Sequence, residues 1–312
     1  MPDATKTGAP RTIRLSDYRP PAFKIDETHL TFELEPGATR VVSRLVMRRA
    51  DGGDGPLVLD GEGLKTLRVS LDGRALDEGE YRAGDDALTI PGVGAEFVVE
   101  TECVIDPQAN TALSGLYRSS GNYCTQCEPE GFRRITWYLD RPDVLSVFTT
   151  TIVGDADENP VMLSNGDRIA GDETDDGRRR VTWRDPWPKP SYLFALVAGN
   201  LGCLRDTFVT RSGREVALEV YAEHHNMEQC DHAMASLKKA MQWDEDVYGR
   251  EYDLDTYMIV AVDDFNMGAM ENKGLNIFNS RYVLARPETA TDADFDAIEG
   301  VIGHEYFHNW SG

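Results

Sequence analysis

The chain has 312 residues, of which 41% are hydrophobic and 28% charged, ordinary values for a globular protein long enough for two domains and a large core. Its formal net charge is −22, from 54 acidic against 32 basic residues, with no segregated basic patch to offset that field. Binding to nucleic acid or to an anionic membrane is therefore not expected, and a solubilising acidic surface is.

The first ten residues, Met1 to Pro10, are polar and lack the apolar stretch of a secretory signal, so a cytoplasmic location is expected. Residues 1 to about 20 read as an extended arm. From there to about residue 200 the pattern is short strands and turns. Thr28–Leu34 alternates with period two, and Arg40–Met47 follows a Pro36-Gly37 break. Pro56–Leu59, Leu67–Leu71 before Asp72-Gly73, and Ala95–Val104 continue the series, which indicates an antiparallel β domain over residues 1–200. His29 lies in one of these strands and reads as a surface residue. Tyr192–Ala198 is about the longest apolar run, far short of the roughly 20 residues of a membrane span. Five cysteines, an odd count, fit reduced thiols, and Cys124-Thr-Gln-Cys127 has no second pair to complete a metal site. That pair sits among Gly121, Asn122 and Pro129 instead of opening a helix, so redox chemistry is not expected of it.

Composition shifts near Ala198-Gly199-Asn200, and residues 201–312 form a second unit. Strands near Val209 and at Glu215–Tyr221 lead to a helix over Asp231–Tyr248, with Met234, Leu237, Met241 and Tyr248 on its apolar face and Gly249 placed to end it. Tyr257–Val262 reads as a buried strand and Asn276–Leu284 as another. His224, His225 and His232 flank a loop and a helix start and read as solvated. Between the two strands, Asp263–Asn272 offers Gly268 and Ala269, whose bare backbone suits an edge strand that pairs with an extended peptide, with the Glu271 carboxylate near the end of that peptide.

The last helix carries the chemistry. Thr291 and Asp294 have capping-box spacing, and Ile298, Val301, Ile302 and Tyr306 recur at i, i+3, i+4 and i+8 as a buried stripe. On that helix His304-Glu305-Tyr306-Phe307-His308 puts two imidazoles one turn apart, able to reach one Zn²⁺, with Glu305 rotated about 100° from His304. Chance produces such a spacing in on the order of one chain in a hundred of this length, so the flanking stripe and cap matter to the assignment. A buried helix carrying these groups must give them partners, and a metal does so. Catalytic zinc takes three protein ligands and an open position, of which this stretch supplies two.

Taken together, Gly268-Ala-Met-Glu-Asn272 and His304-Glu-x-x-His308-Asn-Trp310 about thirty residues later resemble the zinc aminopeptidases of the gluzincin clan. Asn110–Tyr117, Cys124–Phe132, Tyr138–Val144, Pro188–Gly199 and Asn266–Ala285 are similar to the aminopeptidase N family of bacteria, so the resemblance covers essentially residues 15 to 312. It implies a mainly β, saddle-like antiparallel N-terminal domain over 1–200, followed by the first part of an α+β thermolysin-like catalytic domain over 201–312. It implies one Zn²⁺ per complete enzyme, with His304 and His308 as ligands and Glu305 as the general base. Glu271 and Glu128 match carboxylates that hold the substrate's free α-amine. Gln126 and Met267 match residues about the first side-chain pocket, and Gly268, Ala269, Met270 and Asn272 belong to the same substrate-binding segment. Peptides with a free N-terminus are the implied partners, and a monomer the implied assembly.

The sequence departs from the family's pattern at its end. The family's third ligand, a glutamate nineteen residues beyond the second histidine, falls past Gly312, as do the oxyanion-stabilising tyrosine and a C-terminal helical domain. The chain is thus read as the N-terminal portion of an aminopeptidase, expected to bind zinc poorly and to be inactive alone. Two other readings stand beside it: a thermolysin-like endopeptidase, against which Glu128 and Glu271 speak, and a catalytically dead β-rich binding module if the chain is naturally complete.

Overall fold

A computed structural model describes residues 12, 14–174 and 176–311. Most of the expected N-terminal arm, residues 1–11 and 13, lies outside the described residues. Its end is not simply extended: Leu15–Asp17 forms a 3-10 turn, and Tyr18 Oη donates to Asp143 Oδ2 at 3.0 Å.

The alternation read from the sequence folds into one large sheet of eight strands, in the order Asp167–Glu173, Arg179–Lys189, Ser146–Gly154, Phe23–Glu33, Thr39–Arg49, Glu96–Ile105, Lys65–Leu71 and Arg74–Ala75. Thr39–Arg49 and Glu96–Ile105 bury every second side chain, as a half-covered sheet requires. The pairing is antiparallel except at one seam, where Phe23–Glu33 runs parallel to Ser146–Gly154. A parallel pair needs a long crossover, and the chain between them supplies it with four more strands of the large sheet, a separate three-stranded sheet of Leu57–Asp60, Ala87–Ile90 and Arg82–Ala83, and the hairpin Gly115–Ser119 and Asn122–Gln126. The core beneath is aromatic: the Phe132 ring meets Phe194 at 5.2 Å and Phe148 at 6.0 Å, both edge-on, and Tyr138 at 4.7 Å.

From Gly202 a five-stranded sheet follows in the order Gly202–Val209, Glu215–Ala222, Thr256–Val262, Leu275–Asn279 and Ala269–Met270. Its three central strands are parallel. Helix α1, Asp231–Tyr248, is the crossover between the first two of them, and helix α2, Asp292–Phe307, closes the described chain. Thr256–Val262 explains how the pieces join. Its alternate residues Met258, Val260 and Val262 pack into the core of the large sheet, while Tyr257, Ile259 and Ala261 pack beneath α1 and α2. A strand covered on both faces reads as continuously apolar, as this one does.

Two expectations need correction. The strand expected over Asn276–Leu284 stops at Asn279, because the Asn279 side chain turns back to accept from Arg281 N and opens a 3-10 turn over Ser280–Tyr282. Tyr248 is not on the buried face of α1: it is 53% exposed and packs against Trp243 and Phe307. Gly249 ends α1 as expected, in the left-handed conformation at φ 64°. All five cysteines are free thiols.

Helix α1 also buries two adjacent acids, Asp244 and Glu245, and Asp244 is the one shifted furthest. Asp244 is 1% exposed, its Oδ2 has no hydrogen-bond partner, and burial pushes its carboxyl up to about 6. The folded chain therefore keeps a proton that the unfolded chain, near 3.8, has released, and stability falls as pH rises from about 4 to about 6. Asp244→Asn should flatten that dependence and add about 2–3 kcal/mol at pH 7 to the 312-residue chain. Denaturant melts of both proteins at pH 4.5 and pH 7 measure it, and parallel pH curves would contradict it.

Candidate active site

Helix α2 begins in a full capping box: Asp294 N donates to Thr291 Oγ1 at 3.3 Å and Thr291 N to Asp294 Oδ2 at 2.8 Å. It buries Ile298, Ile302, Glu305 and Tyr306, and Tyr306 wedges against Tyr252 and Tyr257 with ring centroids at 6.2 and 5.5 Å. Fixing that face fixes the other. His304 is exposed and His308 half-buried at the helix end, with their Nε2 atoms 3.1 Å apart. The ring nitrogen Nδ1 of His308 lies 2.7 Å from the carbonyl of Ser311, which can only accept, so Nδ1 donates and Nε2 is the nitrogen free to face a metal. Two ligands on a tetrahedral ion with metal–nitrogen bonds of 2.0–2.1 Å stand about 3.3 Å apart, so the histidine pair fits one divalent metal.

Glu271 comes to the same place from the sheet. Ala269–Met270 is the edge strand, paired antiparallel to Phe278 and Ile277. The turn that follows is held from several sides. Asn272 Nδ2 donates to the Phe194 carbonyl at 3.2 Å, Asn276 Nδ2 to the Asn272 carbonyl at 2.9 Å, and Asn165 Nδ2 to the Lys273 carbonyl at 2.9 Å. Tyr257 Oη in turn donates to Asn276 Oδ1. Gly274 completes the turn at φ 74°, where a Cβ would stand 2.9 Å from Leu254. The ligand atoms of Glu271, Glu305 and His308 all lie within 4.8 Å of one another.

Glu128 arrives from the N-terminal part, on the loop after strand Asn122–Gln126. That loop closes on itself through Gly131 N donating to the Cys127 carbonyl at 2.8 Å, and a Cβ at Gly131 would strike the Gln126 carbonyl at 2.4 Å. Burial raises the Glu128 carboxyl above its usual range, with Glu271 adding to the rise and His308 opposing it. Glu305 is pushed up to about 8 by burial first, then by Glu271 and Glu128. Glu271, Glu305 and His308 line a cleft of about 330 Å³ walled also by Trp187, Lys189, Lys273 and Asn309, and Glu128 acts on Glu305 electrostatically. Such a concentration of negative charge is suited to a cation, whether metal or ammonium.

The remaining sequence-derived residues divide by orientation. Buried Gln126 turns Nε2 to Met267 Sδ at 2.7 Å, and Met267 is 40% exposed. Gly268 holds the edge through its carbonyl, which accepts from Asn279 N at 3.0 Å. Met270 and Asn272 are fully buried side chains, so they support the segment from inside the protein. His232 is not solvated as expected: its ring is half-buried, edge-on to Phe295, with Nε2 2.9 Å from that residue's carbonyl oxygen. His224 Nε2 stands 2.9 Å from Asn200 Oδ1, and His225 is exposed. Asp253, Lys273 and Asn309, all near the cleft, escaped sequence reasoning, although two of them flank the motifs directly.

Residues 94–193 match the Peptidase M1 N-terminal domain and residues 232–312 the Peptidase family M1 domain. The chain is 54% identical over 307 residues to aminopeptidase N of Caulobacter vibrioides, covering 98% of this chain and 36% of that protein. Against aminopeptidase N of Escherichia coli it is 54% identical over 306 residues, covering 98% and 35%. Among solved structures, Legionella pneumophila aminopeptidase A in complex with aspartic acid superposes with a TM-score of 0.92 at 38% identity, covering 96% of this chain and 36% of that one. The chain therefore spans about a third of the length of the relatives it matches.

Proposed function

The chain belongs to the M1 peptidase family, and from that premise we propose that it carries the substrate-capturing and base-bearing part of a zinc aminopeptidase, which removes the N-terminal residue from peptides. The observation that carries this reading is the meeting of Glu271, Glu305 and His308 within 4.8 Å, with His304 3.1 Å from His308 and Glu128 felt across the cleft. Residues 1–200 serve as the β domain that delivers Glu128 and Gln126, and residues 201–312 as the start of the catalytic domain. The protein is read as cytoplasmic and monomeric, and among the described residues no helix is long and apolar enough to cross a membrane.

His304 and His308 would hold the ion, and the third protein ligand would come from a chain of the relatives' length. Zinc bound there supplies Lewis acidity and lowers the pKa of a bound water from 15.7 to about 7. The chain's own residues do the rest. Glu128 and Glu271 take the substrate's ammonium through charge-assisted hydrogen bonds in a partly desolvated pocket. An internal peptide nitrogen offers them no charge, which restricts cleavage to the first bond. Gln126 and Met267 line the space for the first side chain, and the Gly268–Ala269 backbone lies alongside the extended peptide. Glu305 Oε removes a proton from the attacking water and returns it to the departing amine.

The test compares an aminoacyl anilide with its N-acetylated form in the zinc-loaded enzyme of full length. Only the free amine should turn over, with a difference on the order of 10³-fold or more in kcat/KM. Comparable rates would point to an endopeptidase, and no turnover of either to a binding module.

A further inference from the structure

Three side chains from separate parts of the chain close a small triangle beside the candidate site. Lys273 Nζ donates to Asp253 Oδ1 at 2.7 Å and Oδ2 at 2.8 Å, and to Asn309 Oδ1 at 3.0 Å. Asn309 Nδ2 donates to Asp253 Oδ1 at 3.1 Å, so each corner bonds both others. The Lys273 and Asp253 side chains are only 12% and 20% exposed. Asp253 lies between α1 and strand Thr256–Val262, and its backbone carbonyl accepts from Trp187 Nε1 at 3.3 Å. The Trp310 ring stands 5.9 Å from Lys273 Nζ.

What distinguishes this triangle is where its corners sit. Lys273 is two residues after Glu271, on the turn that presents the amine-capturing carboxylate. Asn309 directly follows His308, at the end of the helix that presents the histidines. Asp253 joins them. An ion pair kept only for stability could sit anywhere, and buried pairs are often replaceable by apolar groups without loss. Here the triangle, through the Lys273–Asn309 bond and the Asp253 that holds both, spans the two halves of one site, where a displacement of about 1 Å can cost on the order of 100-fold. The geometry points to Asp253, Lys273 and Asn309 as positioning residues that set the separation between the ammonium pocket and the metal-binding histidines. The inference rests on the aminopeptidase reading and adds three residues to it.

The experiment measures coupling between the two ends of one ligand. Leucine hydroxamate engages both ends, whereas 4-methylpentanohydroxamate is the same ligand without its amine. Calorimetry on the zinc-loaded enzyme of full length gives the affinity ratio of the two. The probe variant is Lys273→Met with Asp253→Asn, which leaves no unpaired charge behind. Asn309→Ala is a milder second variant that removes one strut. The wild-type ratio should be on the order of 100, and it should fall roughly tenfold in the double variant and less in Asn309→Ala. Affinity for 4-methylpentanohydroxamate, and zinc affinity by chelator competition, should stay within about twofold. A preserved ratio in both folded variants overturns the positioning role. A wild-type ratio near one overturns the aminopeptidase reading itself, and this inference with it.

Discussion

Glu305→Ala in the zinc-loaded enzyme of full length should lower kcat by on the order of 10³- to 10⁴-fold while the metal stays bound, as expected when a general base is removed from an otherwise intact site. The side chain is 7% exposed and shares the buried face of α2 with Ile302 and Tyr306, so its carboxylate is held in one place by the packing of the helix. The same burial, with Glu271 and Glu128 close by, raises its pKa to about 8. A base must be ionised to act, and a divalent cation on the neighbouring histidines favours the ionised form. Metal analysis beside steady-state kinetics checks the prediction. Turnover within tenfold of wild type would remove Glu305 from the chemistry, and metal lost with activity would make it a ligand instead.

Glu271→Ala should lower kcat/KM for a free aminoacyl substrate by on the order of 100-fold, mainly by weakening capture of the amine. In the proposed arrangement Glu128 still holds the ammonium, so the loss should be smaller than that expected for Glu305→Ala. The turn around Glu271 should survive the change, because Asn165, Asn272 and Asn276 fix its backbone and none of them bonds the Glu271 side chain. An unchanged KM and kcat would dismiss Glu271 as an amine-binding group.

The features legible in the sequence were those whose cause is local. The Thr291 and Asp294 cap, the Asp231–Tyr248 helix with Gly249 at its end, and the period-two strands depend on residues a few positions apart. So does the i, i+4 pairing of His304 and His308, which a single helical turn guarantees. The resemblance implies roles for Glu128 and Glu271 by position. It did not supply their surroundings.

Tertiary structure decided what distance in sequence conceals. Phe23–Glu33 pairs in parallel with Ser146–Gly154 although nine other strands lie between them in the chain, and no local pattern announces that. The strand after Asn276 ends early through a side-chain cap, a competition between Asn279 and the ladder that alternation cannot reveal. The sequence by itself determined the helix that aligns the histidines and the carboxylate between them, since helical geometry makes that arrangement unavoidable. Only the fold brought Glu128 from one sheet and Glu271 from another to that helix, and joined Asp253, Lys273 and Asn309 behind them. Those meetings depend on how whole layers pack against strand Thr256–Val262, and packing of layers is a property of the complete chain of contacts, not of any stretch within it.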